Sequence, residues 1–257
     1  QITVPSCWEE IEKDYEGVAF YRKKFDIPAS WKDKIVELKF DASNYLTQVW
    51  VNDQVVGFHE GGFTPFSFRI DKLVKPGEEN VLTVRVVGSI ILSNQRIDGL
   101  GKQEVPSWRG AITGGIWQSV SILATGTTRI KDVFIEPKIE NNTAVFHLEI
   151  ENNEIKNSAA EIILNIFSKE NVVIAYKSET IEVLPGKNNI QWEIQIPDAK
   201  YWSMDNPYLY NAKIELKTGN EISDNWTAKF GMREFTVTNN KFYLNGKPLY
   251  LKAVFFE

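Results

Sequence analysis

The chain has 257 residues, enough for two domains of ordinary size. With 43% hydrophobic and 25% charged residues, its composition is globular, which excludes a disordered, collagenous or membrane-embedded chain. A net charge of −5 argues against a general nucleic-acid binder, which needs a basic face to replace counterions along the phosphates, and no apolar run approaches the ~18 residues of a membrane span.

The N-terminus opens on Gln1-Ile2-Thr3-Val4-Pro5 without a Met. This points to a processed or trimmed start and so to a periplasmic or extracellular setting in a bacterium, with the cytoplasm as the alternative. Cys7 is the single cysteine, so neither an intrachain disulfide nor a cysteine cluster for zinc is expected. Between residues 7 and 15, Trp8, Ile11 and Tyr15 fall at helical spacing and predict one short helix or turn. Helical periodicity then disappears and period-two alternation takes over. Asn52-Asp53, between Val49-Trp50-Val51 and Val55-Val56, predicts a tight hairpin. Phe66-Ser67-Phe68-Arg69-Ile70-Asp71 and Leu82-Thr83-Val84-Arg85-Val86 put apolar residues on one face and polar ones on the other, as a half-buried strand requires.

Residues 89–115 break the pattern. They carry Gly99, Gly101, Gly110, Gly114 and Gly115, with Pro106 and a Trp108-Arg109 pair, and loops of this length tend to be functional or disordered. Alternation returns at Ile116-Trp117-Gln118-Ser119-Val120-Ser121-Ile122 and closes a first domain, residues 1–127. A second domain, residues 128–235, alternates through Phe146–Ile150, Trp192–Ile196 and Ile214–Lys217. Its size and strand count predict an immunoglobulin-like sandwich without the antibody cysteine pair. In the tail, Phe242-Tyr243-Leu244-Asn245-Gly246-Lys247-Pro248-Leu249 predicts a small hairpin. The nearly continuous apolar run Leu251-Lys252-Ala253-Val254-Phe255-Phe256 suits a strand buried on both faces, as in a parallel barrel. The expectation is an all-β chain of two sandwiches, with residues 236–257 starting a third domain that continues past Glu257.

Several stretches together resemble glycoside hydrolase family 2, the group containing β-galactosidases, β-glucuronidases and β-mannosidases. The first domain is similar to its N-terminal sugar-binding jelly roll at residues 15–25, at Val49-Trp50-Val51-Asn52-Asp53, at residues 56–66 around Gly61-Gly62, and at Gly114-Gly115-Ile116-Trp117. The second domain shows similar motifs at Trp202, at Asp205-Asn206-Pro207-Tyr208-Leu209-Tyr210 and at Phe230-Gly231-Met232-Arg233. The tail hairpin is similar to the family's entry into its catalytic (β/α)8 barrel. Each motif alone is weak; their order and spacing carry the resemblance.

The resemblance implies a retaining mechanism. That chemistry requires two carboxyl groups about 5–5.5 Å apart, one acid/base and one nucleophile, here on two barrel Glu beyond Glu257. The chain itself is then expected to be non-catalytic and inactive alone, without cofactor or metal, meeting carbohydrate as part of a parent enzyme. The alternative is a carbohydrate-binding module or a structural spacer with no part in catalysis. In the family the region matching 89–115 leans over the barrel mouth, which makes Asp98, Lys102, Gln103, Trp108 and Arg109 the expected substrate-binding residues. Trp108 would stack on the apolar face of a sugar and the polar side chains would bind its hydroxyls; the competing reading packs Trp108 onto its own sandwich. Two departures weigh against a standard galactosidase or glucuronidase specificity: Phe256 stands where the family places a sugar-contacting His, and about Arg109 stands where it places an Asp. Among other candidates, His59 reads as a turn hydrogen-bonder and His147 as a surface residue. Arg233 with Asp205 and Asp224 reads as a structural ion-pair network.

Overall fold

The computed structural model describes residues 2–12, 15, 17–88, 96–97, 101–102 and 114–252. It is all-β and divides into two compact units, Gln1–Ala124 and Thr125–Phe255.

The first unit begins with a 3-10 turn, Trp8–Glu10, where the helical spacing lay. Strands follow as β1 (Val18–Asp26), β2 (Ile35–Phe40), β3 (Leu46–Val51), β4 (Gln54–Glu60), β5 (Phe66–Arg69), β6 (Glu79–Val87), β7 (Arg96–Ile97), β8 (Gly101–Lys102) and β9 (Val120–Thr125). One sheet has the order β1-β6-β3-β4 and the other β5-β2-β9; β7 and β8 pair with each other. The inward residues Val49, Val51, Val84 and Val86 of the first sheet share a core with Val36, Leu38 and Phe40 of the second. Each fully buried side chain of this kind contributes about 1.5–3 kcal/mol through removal from water. The β3–β4 hairpin forms as expected: Asn52 and Asp53 take φ of 50° and 62°, the left-handed pair of a two-residue turn. Asn52 does more than turn the chain. Its amide donates to Leu73 O and to Asn80 Oδ1, and its own Oδ1 accepts from Val81 N. One expectation shifts: the strand after the glycine-rich region starts at Val120, not Ile116. Before it, the backbone runs beside Ala42 and Asp41 through single hydrogen bonds from Gln118 N and to Ser119 O.

In the second unit β10 (Thr128–Lys138), β11 (Thr143–Asn152) and β14 (Gly186–Gln195) form one sheet. The facing sheet, ordered β13-β12-β15-β16, uses β12 (Ser158–Phe167), β13 (Val173–Val183), β15 (Tyr210–Thr218) and β16 (Glu221–Phe230). Phe146, Leu148, Ile150, Trp192 and Ile194 meet Ile162, Leu164, Ile166, Ile214 and Leu216 between the sheets. Trp192 closes the gap from β14 to β13: its indole N–H donates to Glu179 at 3.0 Å, while the Lys177 ammonium sits 4.7 Å over its ring. A third small sheet follows, β17 (Phe235–Thr238), β18 (Lys241–Leu244) and β19 (Lys247–Leu249). Asn245 fixes it to the sandwich. Its backbone N–H and side-chain carbonyl clasp Glu234, and its amide donates to Trp202 O at 2.9 Å. Leu251 and Lys252 lie outside any strand, with Leu251 exposed, and the rest of the expected apolar strand falls outside the described residues.

Candidate functional site

Of the expected substrate-binding residues, Asp98, Gln103, Trp108 and Arg109 lie outside the described residues, and Lys102 is described in its backbone alone, paired with Arg96 across β7–β8. The described part of this region is its root. Trp8, only 5% exposed, packs between the two ends of the segment. Its indole lies so close to Gly114 that a Cβ there would sit 1.8 Å from ring carbons, and it stands 3.2 Å from the corresponding point on Gly88. Backbone bonds reinforce the grip. Trp8 N donates to Gly114 O, Ser6 N to Ile116 O, and Gly88 N to Gly17 O. The Glu9 carboxylate accepts Gly114 N–H at 2.7 Å. Gly115, at φ 105°, exchanges both backbone bonds with Asn44 and faces the Tyr21 hydroxyl. The glycine pair is thus required by close approach and by backbone conformation.

The root is also polar. Trp8 Nε1, Glu9 Oε2 and Ser6 Oγ are buried without a hydrogen-bond partner among the described residues. Burial pushes the Tyr21 hydroxyl above its ordinary pKa, against an opposing pull from the Ile116 backbone. Burial also raises the Cys7 thiol, helped by Glu9 and Glu10, which disfavours its nucleophilic thiolate. No local pattern marks Glu9 as a clamp, because its partner is a backbone N–H 105 residues away.

The remaining candidates lie apart from this root. His59 stacks on Phe66 with centroids 4.0 Å apart, faces Thr64 Oγ1 at 3.5 Å, and burial lowers its pKa. His147 is on an outer face. Among the described residues, the Arg233 guanidinium lies 4.7 Å over the Trp202 ring, and Asp224 accepts Ile130 N–H at 2.8 Å. Among the described residues, no group of three or more His, Cys, Asp or Glu could hold a metal ion.

Comparison with known proteins places this geometry. Residues 2–126 match the profile of the sugar binding domain of glycosyl hydrolases family 2, and residues 128–233 match that of glycosyl hydrolases family 2. A β-galactosidase of Thermoanaerobacter pseudethanolicus is 32% identical over 95% of this chain and 32% of its own length. A β-glucuronidase of Streptococcus agalactiae is 25% identical over 98% of this chain and 42% of its own. The crystal structure of a glycosyl hydrolase family 2 member from Bacteroides cellulosilyticus superposes with a TM-score of 0.82 at 26% identity, over 96% of this chain and 34% of that one. The chain therefore spans about a third to two-fifths of these relatives. Two successive family matches over nearly all of its residues, on the two sandwiches just described, show that the chain belongs to glycosyl hydrolases family 2.

Proposed function

We infer that this chain is the non-catalytic front portion of a retaining glycosidase. It serves as scaffold and, through the segment rooted at Trp8, as part of the substrate pocket. The observation that carries the reading is the pair of family matches in order on a chain a third the length of its β-galactosidase relative. Carbohydrate is accordingly the proposed partner, and Asp98, Lys102, Gln103, Trp108 and Arg109 remain the proposed contacts.

Two features support a catalytic barrel beyond residue 257. The β17–β19 sheet is anchored on one side by Asn245 and presents Phe235, Val237 and Phe242 as exposed apolar side chains, with Tyr250 and Leu251 following. A domain packed there would cover them. In addition, carboxylates on the outer faces of the second sandwich are mostly engaged by bases: Glu149 by Lys187, Glu151 by Arg129, Glu215 by Lys213 and Glu161 by Lys217. Asp132 and Glu149 do stand opposite each other across β10 and β11. Sharing one sheet face, they lie on the same side of anything bound there, whereas retaining hydrolysis needs carboxyl groups on the two sides of the anomeric carbon. The test is a panel of chromogenic β-glycosides. The chain alone should give no turnover while the protein extended past residue 257 hydrolyses at least one of them; turnover by the purified chain would defeat the reading.

A further inference from the structure

We propose that the outer face of the β10-β11-β14 sheet binds a neutral oligosaccharide, with a pyranose ring lying on Phe134. The site belongs to the second sandwich alone and does not depend on the activity inferred above.

The register builds it. Phe134, His147 and Gln191 stand in one row across the three strands, and Asp132, Glu149 and Asn189 in the next. Because side chains alternate along a strand, all six project from the face opposite the core. They line a concavity of about 350 Å3, at the lower end of the ~300–1,000 Å3 range of small-ligand sites. Leu148 and Ile190 complete its lining, and the Phe134 ring is its exposed apolar group, 62% exposed although it lies within an eleven-residue strand. His147 flanks it at 5.8 Å between centroids and is steadied by Glu136 at 3.4 Å.

The lining chemistry selects the ligand. The Asn189 and Gln191 amides and the Asp132 carboxylate make no side-chain hydrogen bond among the described residues, so their donors and acceptors face solvent around the ring. A flat apolar platform ringed by planar amides and a carboxylate matches a pyranose, which offers C–H groups on its face and hydroxyls at its edge. Charge narrows the class further. Asp132, Glu136 and Glu149 are acidic, and the neighbouring bases Lys138 and Lys187 are paired to Glu136 and Glu149. With Glu136 and Glu149 neutralised by their lysines, Asp132 is the carboxylate left facing the ring, and it would repel a uronate or sulfate placed there, whereas a neutral sugar would hydrogen-bond to it. A protein partner fits poorly, since a stable interface needs about 800 Å2 per side around an apolar centre, and here the centre is one phenyl ring.

The experiment titrates the 15N-labelled chain with cellotetraose, xylotetraose, mannotetraose and galactotetraose, with tetragalacturonate as the charged comparison. At least one neutral tetrasaccharide should shift the amides of β10, β11 and β14 around these six residues, with a Kd on the order of 1 mM. Phe134→Ala should weaken it about tenfold or more, with an unchanged melting temperature because the ring packs in no core. Asn189→Ala with Gln191→Ala should weaken it as well. The proposal is overturned if no neutral sugar moves those amides, if Phe134→Ala binds as tightly, or if tetragalacturonate binds as well as the neutral sugars.

Discussion

Among the described glycines of the first sandwich, Gly114 leaves the least room for a side chain. A methyl group would enter the Trp8 indole at 1.8 Å, and the indole cannot retreat because it is buried on the core and edge-packed on Tyr15. Gly114→Ala is therefore expected to destabilise the unit by about 1–3 kcal/mol, the usual cost of overpacking. Gly88→Ala, whose Cβ would meet the same ring at 3.2 Å, should cost less. Urea unfolding followed by tryptophan fluorescence checks both, and equal stability of Gly114→Ala and wild type would show that the root yields. At this scale the sequence was only partly legible. The glycines and Trp8 were visible as residues needing a reason. The reason itself, an indole gripping two points 26 residues apart in the chain with Glu9 capping one of them, is a long-range contact that no local pattern encodes.

Among the elements, turn chemistry carried the most information. Asn52-Asp53 and Asn245-Gly246 adopt the positive φ pairs that two-residue hairpins demand, and both hairpins form. Pro185-Gly186 also lies between two strands, yet these, β13 and β14, belong to opposite sheets. A turn signal says where a strand ends, not whether the next one pairs with it or crosses the core. Alternation was misleading at Ile116-Trp117-Gln118-Ser119, where the side chains alternate but Trp117 is held by its indole N–H on Gly62 O, outside any ladder. Asn245 is the element-scale test. Asn245→Ala removes the bond to Trp202 O and the acceptor for Glu234 N–H, a loss of about 1–3 kcal/mol if the partners stay unsatisfied. Hydrogen exchange should quicken across β17–β19 while β10–β16 keep their protection. Uniform quickening through the second unit would mean that the small sheet is part of the sandwich's own cooperative structure.

At the scale of the whole molecule, two separate apolar cores account for two compact units. The family was legible because its motifs sit at turns and close approaches, such as Gly61-Gly62 and Asn245-Gly246, where few residues satisfy the backbone. The proposed substrate contacts rest on the resemblance alone, since recognition of a sugar depends on how side chains converge, and convergence is invisible to periodicity. The outward row on β10, β11 and β14 shows the same gap: His147 read as a surface histidine, and nothing in the sequence set Phe134 and Gln191 on either side of it.

On the function proposed above, the nucleophilic carboxylate lies outside these 257 residues. An activated deoxyfluoro β-glycoside, which leaves a retaining enzyme trapped as its covalent glycosyl ester, tests this directly by intact mass and peptide mapping. An unmodified chain is expected, with one added glycosyl group on a Glu beyond residue 257 in the extended protein. A label on the chain itself, with Asp132 or Glu149 as the opposed pair to inspect first, would contradict it.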